Sequence, residues 1–169
     1  MSYDINKLVE KVVNEVKSEA ASKQPATKKV KMNLALARRL VEKVKLKAKE
    51  IGVNAVVAVA DGGGNVITVD SMDGAYIASL DIAMNKAFTS VALKMPTSAL
   101  AKLARPDGPL YGIQNTNNGR IVIFGGGVPL ECDGEIIGGC GVSGGTAEQD
   151  TYLGDYSKEI FAELVKIGE

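Results

Sequence analysis

The sequence predicts a mixed α/β chain of the α+β kind, an antiparallel sheet of about five strands with helices on both faces. Three observations predict it. Asp133-Gly134 is a two-residue hairpin signal and Asp61-Gly-Gly-Gly-Asn65 a longer one, and tight hairpins force antiparallel pairing. Apolar residues recur at helical spacing in the stretches outside those hairpins. The resulting order, α-β-β-α-α-β-β-β-α, supplies enough helices to cover a sheet on two sides.

Each element has its own signal. Over residues 4–20, Ile5, Leu8, Val9, Val12, Val13 and Val16 form one apolar stripe, with Asp4 placed at the helix start and charged residues opposite. Residues 23–31 are small, polar or basic and broken by Pro25, which reads as a linker. The chain thus divides into a helical segment (1–22), a linker (23–31) and one domain (32–169). Asn33 caps a helix to about Ile51, with Leu34, Ala37, Val41, Val44, Ala48 and Ile51 inward and Gly52 ending it. Ala55–Ala60 and Val66–Asp70 read as paired strands. A long alanine-rich helix spans about Ile77 to Lys94, Pro96 stops it, and Thr97 or Ser98 caps a short one to about Ala104. Residues 105–119 are a loop rich in Pro, Gly and Asn. Ile121–Phe124, Val128–Cys132 and Glu135–Val142 read as strands. A last helix from Thr146 turns Leu153, Tyr156, Ile160, Leu164 and Ile167 inward.

Composition narrows the function. The chain has 169 residues, 46% apolar and 24% charged, as an ordinary single globule does. Lys plus Arg and Asp plus Glu number 20 each, so no net field draws nucleic acid or membrane. The basic run from Lys28 to Lys49 lacks interleaved aromatics that would stack bases, and reads as a solvated helix face. No apolar run approaches the ~20 residues of a membrane span, and the N-terminus lacks a signal-peptide pattern. Two cysteines are too few for a disulfide framework. The expectation is a cytoplasmic protein. Histidine is absent, which excludes His-based triads, most zinc sites and His-ligated haem.

The motifs carry modest chemistry. Gly139-Cys-Gly-Val-Ser-Gly144 fits G-x-G-x-x-G, but no βαβ unit follows, so its glycines serve a tight strand-to-helix turn. Thr146-Ala-Glu-Gln149 has capping-box spacing, and Glu148 and Asp150 in the first turn suit the helix dipole and repel phosphate. Asp61, Asp73 and Asp150 lie beside glycines at loops or helix starts. Turn chemistry explains the first two, and a carboxylate cluster needs the fold to bring them together. Lys86 stands mid-helix among alanines, where it either snorkels or meets a ligand carboxylate. Counting back from Asp133-Gly134 pairs Cys132 with Glu135 and Cys140 with Gly127, so no disulfide joins the cysteines. Core packing or thiolate ligation of haem is open to both. Gly125-Gly-Gly127 has more glycine than one bulge needs. Gly126 and Gly127 are therefore expected to admit a ligand or a neighbouring subunit, so that valine there harms binding or assembly more than monomer stability.

From about Asn33 to Asp150 the chain resembles a known family. The match runs through Ala58-Val-Ala-Asp-Gly-Gly-Gly-Asn-Val66, Met72-Asp-Gly-Ala75 and Ser79-Leu-Asp-Ile-Ala-Met-Asn-Lys-Ala87. It continues through Gly125-Gly-Gly-Val-Pro-Leu130, Ile137-Gly-Gly-Cys-Gly-Val-Ser-Gly144 and Glu148-Gln-Asp150. In this order and spacing they identify the GlcG/HbpS-like, or haem-degrading domain, family, which includes the C-terminal domain of the PduO corrinoid adenosyltransferase. The resemblance implies a profilin-like α-β-α sandwich, a homo-oligomer that is an octamer in many members, and binding of haem or a related tetrapyrrole or corrinoid. It does not imply adenosyltransferase activity, which belongs to a separate domain. Without histidine, a haem iron here needs Cys, Met, Tyr, Lys or a hydroxyl. The residues assigned to a cofactor are Asp61, Asp73, Lys86, Gly126, Gly127 and Asp150, with no metal site. The front helix is similar in pattern to the encapsulation peptides of bacterial microcompartment cargo, so residues 4–20 are expected to dock on a shell protein. Two other functions fit: an enzyme on a small metabolite using Asp61, Asp73, Lys86 or Asp150 as acids and bases, and a purely structural oligomer.

Overall fold

The computed structural model describes residues 7, 9–15 and 30–166. Residues 9–15 are helical (α1) and their side chains exposed; Asp4, the other ends of the expected front helix and Ile167 lie outside the described residues. The domain follows as α2 (Leu34–Glu50), β1 (Val56–Asp61), β2 (Val66–Ser71), α3 (Ile77–Ala92), α4 (Thr97–Leu103), two 3-10 turns, β3 (Gly127–Cys132), β4 (Glu135–Ser143) and α5 (Ala147–Lys166). The strands form one antiparallel sheet in the order β2-β1-β4-β3.

The sheet has four strands, and the difference from about five lies at Ile121–Phe124. There the Val122 N–H is bonded to a side chain instead of a neighbouring strand. The Thr89 hydroxyl on α3, which donates to the Asn85 carbonyl of its own helix at 2.7 Å, accepts the Val122 N–H at 3.0 Å. Ile121 and Val122 are still buried, so their apolar character was read correctly and their partner was not. A register shift at Leu130/Glu131 leaves Cys132 opposite Glu135 but sets Cys140 opposite Val128, one residue from the expected pairing. Both cysteines are free thiols.

The two faces of the sheet are packed differently, which positions the site. On one face Val57, Val59, Val128, Leu130, Cys140 and Val142 meet the apolar stripes of α2 and α5. The Asn33 side chain accepts the Leu36 N–H at 2.9 Å to start α2. The buried stripe of α2 includes Leu36 and Leu40, whereas Leu34, expected inward, is 45% exposed. On α5, Phe161 and Ser157 are also buried. On the other face Val56, Ala58 and Ala60 meet Ala83 and Ala87 of α3. This contact is unusually close. A Cβ on Gly141 would stand 2.0 Å from the Ala83 carbonyl oxygen, and one on Gly139 2.6 Å from that of Ala87. The G-x-G of β4 is therefore the floor on which α3 lies.

Candidate functional site

Laying α3 directly on glycine strands carries Lys86 into the interior. Its side chain is 0% exposed, and Nζ donates to the Asp150 carboxylate and to the Val142 carbonyl, each at 2.7 Å. The Phe124 ring caps the amine with its centroid 5.0 Å away. Asp150 comes from the first turn of α5, where the other carboxylate oxygen accepts the Gly145 N–H at 2.9 Å. Beside it the expected capping box forms, with Thr146 N–H donating to Gln149 and Gln149 N–H to the Thr146 hydroxyl. One carboxylate thus ties down the turn before α5 and neutralises a cation from α3. Burial holds Lys86 below its ordinary value, opposed by the Asp150 hydrogen bond and charge.

Gly126 and Gly127 belong to the same cluster. At Gly126 (φ 113°) a Cβ would lie 2.5 Å from the Val142 carbonyl oxygen and 2.8 Å from Lys86 Nζ. At Gly127 it would meet the Lys86 carbonyl at 2.6 Å and the Thr97 methyl at 2.7 Å. The Thr97 hydroxyl, expected as a helix cap, accepts the Gly127 N–H at 2.9 Å instead. The close approach that these glycines permit is to the chain's own α3, α4 and β4.

Four of the six candidate residues, Lys86, Gly126, Gly127 and Asp150, therefore meet. Asp61 and Asp73 stand apart, at opposite ends of the β1–β2 hairpin. Asp61 organises its turn: its carboxylate accepts the Gly63 and Asn65 N–H groups at 2.8 and 2.9 Å, bonds that hold its pKa down. Asp73 borders a cleft of about 740 Å³ between α2 and β2, lined also by Lys45, Leu46, Lys49, Val69 and Met72. In it Lys45 bridges Asp70 at 2.6 Å and Glu42 at 2.7 Å, which raises its pKa. Sequence reading missed this cleft, because Lys45 and Asp70 are 25 residues apart and only the fold joins them. It also missed Phe124, whose one signal was an aromatic directly before three glycines. Cys140 is sealed in the core, its thiol pushed up to about 11 by burial. Among the described residues no three His, Cys, Asp or Glu side chains gather as a metal-binding group, and no helix is long and apolar enough to cross a membrane.

The model of the family described as haem degrading protein HbpS-like matches residues 32–155, from the start of α2 into α5. The chain belongs to the HbpS-like family. A 15.0 kDa uncharacterised protein of Citrobacter freundii, from the dhaT–dhaS intergenic region, is 44% identical over 79% of this chain and 94% of its own length. The corrinoid adenosyltransferase PduO of the same organism is 33% identical over 86% of this chain, but the match spans only 43% of that protein. Among solved structures, the PduOC–haem complex shares 33% identity and a TM-score of 0.74, covering 77% of this chain and 94% of that one. The four-stranded antiparallel sheet between helices is thus the HbpS-like fold.

Proposed function

We propose that this HbpS-like chain is an accessory protein that binds haem or a related tetrapyrrole or corrinoid, without itself catalysing adenosyl transfer. The observation that carries the reading is the donor set of the cleft between α2 and β2. Its volume of about 740 Å³ suits a cofactor, since such sites span roughly 300–1,000 Å³. Leu46 and Val69 give an apolar wall, Lys49 gives a cation for a propionate or other carboxylate while Lys45 stays paired with Asp70 and Glu42, and Met72 gives a thioether that a haem iron accepts as axial ligand. The interior donors fit poorly: Lys86 is committed to Asp150, and the Cys140 thiol is buried and protonated. When bound, the tetrapyrrole supplies a metal centre, and the chain's own part is to shield one face of it and pair Lys49 with a carboxylate. In a hemin titration the native chain is expected to shift the Soret band. Met72→Leu is expected to weaken that binding about tenfold, equivalent to roughly 1.4 kcal/mol of coordination. An unshifted band in the native chain, or equal affinity in Met72→Leu, overturns the assignment.

The same proposal includes assembly and location. Tyr76, Ile77 and Leu80 at the start of α3 are 72%, 98% and 44% exposed, an apolar patch of the kind that subunit contacts cover. On α1, Val9, Val12 and Val13 are 53%, 52% and 42% exposed, which supports a helix offered to another surface, here a microcompartment shell protein. Removing residues 1–28 is expected to leave a homo-oligomer in sedimentation and to abolish recruitment to shells. A monomer counts against the domain as the source of assembly; unchanged recruitment counts against the helix as the address.

A further inference from the structure

The strongest feature that tetrapyrrole binding leaves unused is the amine under Phe124. Lys86 is among the largest fully buried side chains of the described residues, and its Nζ has three neighbours of different character. Two are fixed: the Val142 carbonyl belongs to the central strand β4, and Asp150 is tied to the Gly145 N–H. The third, Phe124, is 41% exposed and sits next to Gly125-Gly126, outside the sheet. The backbone of Gly126, lacking a Cβ, presses directly on the amine. Of the three neighbours, Phe124 is therefore the one that reaches solvent.

We propose that Lys86 is a masked amine nucleophile that forms an imine with small neutral aldehydes when Phe124 swings aside. The substrate class follows from the walls. Gly126, Val142 and Asp150 crowd the amine, so only a short carbonyl compound reaches it, and the Asp150 carboxylate disfavours anionic oxo acids. In the step, Asp150 accepts a proton from the Lys86 ammonium, and the freed nitrogen lone pair attacks the carbonyl carbon. One N–H proton moves to the alkoxide to give the carbinolamine, whose hydroxyl leaves as water with the proton taken back from Asp150, so that the protonated imine forms beside the restored carboxylate. One amine and one aldehyde give one imine and one water, with no oxidant or reductant. The lowered pKa of Lys86 supports the free-amine form.

The test uses the full chain, propionaldehyde and cyanoborohydride at neutral pH, with peptide mapping by mass spectrometry. Reduction of the imine leaves a stable propyl group on whichever lysine reacted. Lys86 is expected to be alkylated at least as fast as the exposed Lys94. Phe124→Ala is expected to raise the Lys86 rate about tenfold without changing that of Lys94, because a lid closed about nine-tenths of the time taxes the site tenfold. Labelling of Lys94 with Lys86 untouched in the native chain overturns the proposal, whether or not Phe124→Ala then reacts. In that case the pair is a structural strut alone. Hemin binding by the same sample, measured separately, does not bear on this outcome.

Discussion

Replacing Asp150 with alanine is expected to destabilise the fold by about 3–5 kcal/mol, the usual cost of leaving one member of a buried ion pair alone. The variant strands the Lys86 ammonium at 0% exposure with one carbonyl acceptor and strips the Gly145 N–H of its partner. Denaturant unfolding should show a lower midpoint at an unchanged slope. Replacing both partners, as Lys86→Met with Asp150→Leu, should cost much less, because the desolvation of two charges is removed with their attraction. A loss under about 1 kcal/mol for Asp150→Ala would mean that the pair behaves as a solvated one. The pH dependence has a definite sign. Burial puts the folded Lys86 pKa below the ordinary 10.5, so in that window the unfolded chain binds the extra proton. Native stability relative to Lys86→Met therefore rises as pH climbs from the folded value towards 10.5. A difference that is flat over that range contradicts the burial of the charge.

Substituting Gly126 with valine is expected to be comparably damaging, and to the monomer. Overpacking of a dense site costs about 1–3 kcal/mol, and a positive φ held by a β-branched residue adds about 1–3 kcal/mol more. Here the added carbon meets the Val142 carbonyl oxygen, held in β4, at 2.5 Å and Lys86 Nζ, held in its ion pair, at 2.8 Å. Thermal unfolding should lose its cooperative transition or drop sharply in midpoint. The sequence alone led to the opposite ranking, with ligand binding or assembly hit harder than stability. If Gly126→Val melts like the parent and fails only in assembly, that earlier ranking is right and the packing described above is wrong.

The glycines show how far a linear reading reaches. Three in a row announced that something comes close to the backbone at 125–127, and something does. The periodicity could not say whether the visitor was a ligand, another subunit or the chain's own Lys86, because that depends on which elements stack across 40 or more residues. Ile121–Phe124 makes the same point from the other side. An apolar run reads as a strand by default, yet this one lies outside the sheet, with its Val122 N–H on a hydroxyl of α3.

What the sequence by itself determined was local in origin. Hairpin turns at Asp61–Asn65 and Asp133-Gly134 dictated antiparallel pairing, the Asn33 cap and the Thr146–Gln149 box dictated where α2 and α5 begin, and the absence of histidine dictated which haem ligands are excluded. These follow from bond geometry and side-chain chemistry within a few residues. The shared motifs added the family. Only the tertiary structure decided that Lys86 neither snorkels nor waits for a ligand carboxylate but meets Asp150, 64 residues away. It also separated Asp61 and Asp73 to opposite ends of a hairpin, and assembled the Met72 cleft from α2 and β2. A buried charge can persist only where its counter-ion is brought to hydrogen-bonding distance, and that distance is set by how α3 and α5 pack on the two faces of one sheet.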